Sequence, residues 1–135
     1  MYIFFLLKLR MIGFSGNNFE LFMFEKAIAY SNEKNMIRHT VVFKLKHRKH
    51  SKEEETFLKA ASKLSLIPGV HNFDCLHQIS KKNNFDFGIV MEFDSIHEYD
   101  NYSNHPDHLD FVNHIWLKEV ESFMEIDFEP IEKEA

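Results

Sequence analysis

Residues 37–46, Ile-Arg-His-Thr-Val-Val-Phe-Lys-Leu-Lys, alternate apolar and polar with period two. A strand sends successive side chains to opposite faces. Ile37, His39, Val41, Phe43 and Leu45 therefore share one face, and Arg38, Thr40, Val42, Lys44 and Lys46 the other. Such a strand has one face that must be covered from water. His39 is the polar exception on that face, and two readings stand: a histidine hydrogen-bonded within the core, or a group facing a pocket.

The same period returns twice. Phe85, Phe87, Ile89, Met91 and Phe93 line one side of a stretch whose opposite side holds Gly88, a mark of a bulge or a close backbone approach. Between Glu121 and Glu129, Met124, Ile126 and Phe128 share a face, the acids Glu125, Asp127 and Glu129 take the other, and Pro130 ends the run. A fourth, mixed strand is expected over 70–80, between the stop Pro68-Gly69 and the turn Lys81-Lys82-Asn83-Asn84.

Helical patterns fill the gaps. Ser51 with Glu54 is a capping-box signature, and the helix it opens turns Phe57, Leu58, Ala61 and Leu64 inward. Asp94-Ser95 caps a short helix with Ile96, Tyr99 and Tyr102 facing in. Pro106 then breaks the chain. Proline has no N–H and a fixed φ, so it belongs in a first helical turn, and it pushes His105 out of the α region. Asp107 falls where a carboxylate suits the positive end of the dipole. Phe111, Val112, Ile115 and Trp116 form the apolar stripe of a helix expected to run to about Val120, and His108 lies on that face. It reads either as a bonded core histidine or as an acid/base group close to Tyr102.

The element order is β-α-β-β-α-β. That predicts an α+β, ferredoxin-like plan: an antiparallel sheet with both helices on one face. The uncovered face, carrying Val42, Val90 and Phe73 or its neighbours, calls for a partner. A second copy in a two-fold, sheet-to-sheet dimer is the simplest cover.

At 135 residues the chain suffices for one domain with a real core. A net charge of −5 argues against a role that rests on neutralising nucleic-acid phosphates. The lone Cys75 rules out an internal disulfide and fits a reducing, cytoplasmic compartment; it reads as a buried strand residue. Residues 1–35 are set apart. They carry a net charge of +1 against −6 for the rest. The apolar run Tyr2–Leu7 is closed by Lys8 and Arg10, too soon to span a bilayer, and it lacks the marks of a signal peptide. Phe19, Phe22, Met23, Ala27 and Tyr30 suggest an amphipathic helix. Met36 is expected to open the domain, 36–130, before a charged tail at 131–135, with the N-terminal segment an extension or an upstream-start artefact.

Taken together, Ile37-Arg38-His39 running into Val41-Val42-Phe43-Lys44, Ile67-Pro68-Gly69-Val70, Phe93-Asp94-Ser95, Tyr102-x-x-His105-Pro106-x-His108 and Asp127-Phe128 resemble the stress-responsive A/B barrel, or Dabb, family. The resemblance implies a ferredoxin-like subunit that dimerises into an α/β barrel, with a cavity between sheet and helices. Many members have no assigned reaction; some plant members are polyketide cyclases that use the motif tyrosine and last histidine as acid and base. By position these are Tyr102 and His108, with His39, His105, Phe111 and Val41 lining the pocket. Asp107 departs from the pattern, which would have a small residue there.

Two functions follow: a homodimer that binds a hydrophobic or aromatic small molecule, or a cofactor-independent acid/base enzyme of cyclase or lyase type. No cofactor, metal, nucleic acid or membrane is expected. A metal held by His105 and His108 with Asp107, His114 or His39 is a weaker third reading, because Asp107 and Asp110 point elsewhere on the helix.

Overall fold

The computed structural model describes residues 18–131. The chain divides into two compact units, one ending at Ser31 and one beginning at Asn32. In the first lies most of helix α1 (Asn18–Asn35). Phe19, Phe22, Met23, Ala27 and Tyr30 fall along one side of it, but Leu21, Phe24 and Ile28 fall on the opposite side, so its apolar residues encircle the helix. The run Tyr2–Leu7 lies outside the described residues. Among those described, no helix is long and apolar enough to cross a membrane.

The second unit runs β1 (Ile37–Leu45), α2 (Lys52–Ser62) with a 3₁₀ turn (Lys63–Leu66), β2 (His71–His77), β3 (Phe87–Phe93), α3 (Ile96–Ser103), α4 (Pro106–Phe111), a π-helical turn (Val112–Trp116), α5 (Leu117–Glu119) and β4 (Val120–Phe128). The strands form one antiparallel sheet in the order β2-β3-β1-β4. This is the ferredoxin-like α+β plan.

Period two decides which side chains are buried. Val41, Phe43 and Leu45 of β1 and Phe87, Ile89, Met91 and Phe93 of β3 form the sheet side of the core; Phe57, Ala61, Tyr102, Phe111 and Trp116 close it from the helices. The centre is aromatic. Phe43 has ring centroids 5.6 Å from Phe57, 5.5 Å from Phe87 and 5.1 Å from Trp116.

Several local expectations change in three dimensions. Ser51 Oγ accepts from the Glu54 N–H, but the Glu54 carboxylate reaches one residue further back, to the His50 N–H. Ile96 opens α3 with its side chain in solvent, leaving Tyr99 and Tyr102 to face inward. Gly88 sits in a regular ladder opposite Val42, where a Cβ would make ordinary van der Waals contact, so it marks neither a bulge nor a close approach. The irregularities lie at Lys44/Leu45 and between His71 and Asp74. Gly69 does meet a conformational demand. Its φ is +89°, in the region that disfavours a Cβ, and it turns the chain from α2 into β2.

The uncovered face carries Val42 and Val90, and of Phe73 and its neighbours it is Asp74 that joins them. Cys75 pairs with Ile89 and Asp74 with Val90, so Phe73 and Cys75 point to the core, while Asp74 and Leu76 join Val42 and Val90 outside. Beside them β4 adds Met124, Ile126 and Phe128, since Met124 stands opposite Val42.

The stripe after Pro106 is not that of a continuous α-helix. A π turn closes residue i onto i+5, which brings Phe111 and Trp116 to ring centroids of 6.2 Å. Both are buried, whereas Val112 and Ile115 are only partly so.

Replacing Phe43 with alanine removes the ring that Phe57, Phe87 and Trp116 share. We expect this to lower unfolding stability by about 3–5 kcal/mol, measurable by urea titration of the isolated variant.

Candidate functional site

Strand pairing builds the first part of the site. His39 of β1 stands opposite Asp127 of β4, and Val41 opposite Glu125. Residues directly opposite share a face, so both acids of β4 lie on the helix side with His39. The side chains meet: His39 Nδ1 is 2.6 Å from Asp127 Oδ1 and 3.6 Å from Glu125 Oε1. A carboxylate only accepts, so Nδ1 carries the hydrogen. Helix α3 lays Tyr99 across this group. Its hydroxyl is 3.1 Å from Glu125 Oε1 and 3.0 Å from Asp127 Oδ2, offering one proton to two carboxylates, and its oxygen faces the His39 Nδ1–H at 3.1 Å. Burial first, and then the bond to Asp127, push the Tyr99 phenol far above its usual range.

The Pro106 break builds the second part. His105 has φ −65° and ψ 137°, extended as the residue before proline must be, and its Nδ1 accepts from the Asp107 N–H at 3.2 Å. One turn on, His108 turns back toward α3. Its Nδ1 lies 3.0 Å from the Ser103 carbonyl oxygen. A carbonyl cannot donate, so Nδ1 bears the hydrogen and Nε2 of the neutral ring is left as an acceptor. The His108 and Tyr102 rings stack at 4.5 Å between centroids, and His39 is 6.4 Å from Tyr102.

Tyr102 is only 2% exposed. Its hydroxyl has no hydrogen-bond partner among the described residues, yet no fully buried side-chain oxygen or nitrogen there is unsatisfied. The small exposed part of the residue therefore includes the hydroxyl, a donor without an internal partner. Burial, and then the Glu125 charge, raise its pKa well above the tyrosine norm, so it stays protonated at neutral pH.

Tyr102, His108 and His39 thus come together. His105 lies at the rim, close enough for its charge to act on His108. Val41 neighbours His39 on the same face, and Phe111 belongs to the aromatic core, 5.7 Å from Phe57. The combination of His105 and His108 with Asp107 or His114 does not form. Among the described residues the group with metal-ligand spacing is His39, Glu125 and Asp127. An open surface cleft lies elsewhere, lined by residues that include His50, Glu54 and His77. Glu125, Asp127 and Tyr99 were not singled out as site residues by sequence reasoning. The available signal was a polar exception on the inward face of β1 matched by alternating acids on the closing strand.

The four-stranded antiparallel sheet in the order β2-β3-β1-β4, with its helices on one face, places the domain among ferredoxin-like α+β folds. Residues 37–130 match the Stress responsive A/B Barrel Domain, and the chain belongs to that family. A Dabb family protein with a ferredoxin-like fold from Mesorhizobium loti is 52% identical, aligned over 72% of this chain and 98% of its own, with a TM-score of 0.70. A dimeric ferredoxin-like protein of unknown function from Thermobifida fusca is 25% identical over 70% of this chain and 91% of its own, at TM-score 0.60. A hydroxynitrile lyase from Passiflora edulis shares the fold at TM-score 0.65, with 16% identity over 76% of this chain and 99% of its own. No curated protein matches the sequence.

Burial lowers the pKa of His108, the Ser103 carbonyl opposes this, and the charges of His39, Glu125 and His105 add smaller effects of both signs. The unfolded chain then binds more protons than the folded one below pH ~6.5. Stability rises with pH through the interval between the folded and unfolded values and is lost on acidification. NMR titration is expected to give a midpoint for His108 below 6.5, and His108→Asn to flatten the acid limb of the stability–pH curve.

Proposed function

We propose that this protein is a homodimer that holds a small, partly apolar carbonyl compound at Tyr102 and His108. The observation that carries the binding reading is the Tyr102 hydroxyl, a protonated donor left without an internal partner beside an imidazole whose Nε2 accepts. A carbonyl oxygen on the phenol and an acidic hydrogen facing Nε2 would satisfy both. Aromatic rings around the pair favour an apolar body on the ligand.

The dimer rests on the uncovered sheet face. Leu76, Met124 and Phe128 stand about half exposed there beside Val42 and Val90. A stable interface buries roughly 800 Å² per partner. The dimeric relative from Thermobifida fusca supports the same reading.

A second reading, acid/base catalysis, is favoured by the His108 tautomer. With Nδ1 fixed by Ser103, Nε2 would take a proton from an activated carbon while Tyr102 donates to the developing oxyanion. No cofactor is needed for that step. Its product is the enol of the bound compound, whose carbon could then attack a second carbonyl of the same molecule.

Three measurements test these statements. Phe128→Glu is expected to turn the wild-type dimer into a monomer in sedimentation velocity; a monomeric wild type excludes the dimer. In a thermal-shift panel of small aromatic acids and β-keto compounds, a ligand at 100 times its Kd should stabilise the wild type by ~2.7 kcal/mol, with the shift weakened in His108→Ala. On any compound turned over, that variant should lose ~10²–10⁴ in rate; a loss under roughly tenfold leaves binding alone.

A further inference from the structure

We propose that His39, Glu125 and Asp127 form a binding site for one divalent transition-metal cation of the zinc class. The inference does not depend on the proton-transfer reading of Tyr102 and His108.

Three observations carry it. The first is convergence. The ligand atoms of the three residues lie within 4.8 Å of one another, and they come from neighbouring strands at paired positions, His39 opposite Asp127 and Glu125 opposite Val41. A zinc ion sits ~2.0–2.2 Å from nitrogen and carboxylate oxygen donors, so donors around one ion stand roughly 3–4 Å apart. The existing spacings of 2.6 Å and 3.6 Å from His39 Nδ1 are close to that range, and the Tyr99 hydroxyl, 3.0–3.1 Å from all three residues, stands where a fourth donor would.

The second is charge. The recorded ion-pair partner of Glu125 and of Asp127 is His39 alone, with no lysine or arginine beside either acid among the described residues. Tyr99 shares a single hydroxyl proton between them, its oxygen also facing His39 Nδ1 at 3.1 Å. Two carboxylates held together by one imidazole and one shared proton leave negative charge that a dication would neutralise. The ion would replace the hydrogen on Nδ1 as the bridge between imidazole and carboxylates.

The third is the contrast in burial. The His39 side chain is 9% exposed and Asp127 and Glu125 are 41% and 50% exposed. The imidazole is thus fixed from below, and the two carboxylates are reachable from solvent. The donor set decides the ion. One imidazole nitrogen with two carboxylates suits zinc or manganese, while magnesium and calcium prefer oxygen alone.

The test is isothermal titration of the full-length, metal-stripped protein with zinc chloride, run beside titrations of His39→Gln, Asp127→Asn, Glu125→Gln and His108→Ala. The expected result is one zinc per chain in wild type and His108→Ala, and at least tenfold weaker binding in His39→Gln and Asp127→Asn. Cobalt(II) in place of zinc should give visible d–d bands in wild type that Asp127→Asn loses. Circular dichroism confirms that each variant is folded; if His39→Gln is not, Glu125→Gln, altered at a half-exposed side chain, takes its place with the same expected loss. The inference is overturned if wild type takes up no stoichiometric zinc. It is equally overturned if the folded variants bind as tightly as wild type, since the zinc then sits on other histidines of the nine in the chain.

Discussion

The domain depends on β1 being held between β3 and β4. With a ladder on each side, β1 has no freedom of register: a slip of one residue would move Val41, Phe43 and Leu45 into water and bring Arg38, Thr40 and Lys44 into the core. The burial of Phe43 among aromatic rings is what makes such a slip costly. The same register that buries Phe43 sets His39 opposite Asp127. Core packing at one end of the strand therefore fixes the polar group at the other.

The helices complete this arrangement by different means. Helix α3 delivers Tyr99 to the carboxylates of β4 and Tyr102 to the stack with His108, two residues three positions apart serving neighbouring groups. The break at Pro106 forces the chain to turn, and the turn lets the His108 ring reach back to the Ser103 carbonyl. Without that bond the imidazole would have no preferred tautomer. An exposed histidine loop would have left the proton free to move between the two nitrogens.

Much of the fold was legible in the sequence because it rests on period and punctuation. Alternation marked β1, β3 and β4, Ser51 and Ser95 marked helix starts, and Pro106 marked the break. Ile96 misled because a residue in the first turn of a helix can sit on an apolar stripe and still overhang the end of the core. Phe73 could not be told from its neighbours because the irregular pairing between His71 and Asp74 resets which residues face in, and no local pattern announces such an offset. The π turn was equally hidden, since i to i+5 closure is selected by the packing of Phe111 and Trp116 against Phe43 and Phe57. At the site, Tyr102, His108 and His39 could be named from motif and face. The acids of β4 could not be joined to His39, because pairing between strands far apart in sequence is a tertiary fact.

Trp116 is the chain's single tryptophan. It lies against Phe43, Phe57, Phe111 and Phe123, where the helical layer meets β4. Its indole is thus a built-in optical reporter of one place. The emission of the protein follows water entry into the aromatic core and little else. Events among His39, Tyr99 and the β4 carboxylates, at the far end of the central strand, leave that indole's surroundings unchanged unless they loosen the core. Local rearrangement and loss of the fold can therefore be told apart in the unmodified protein.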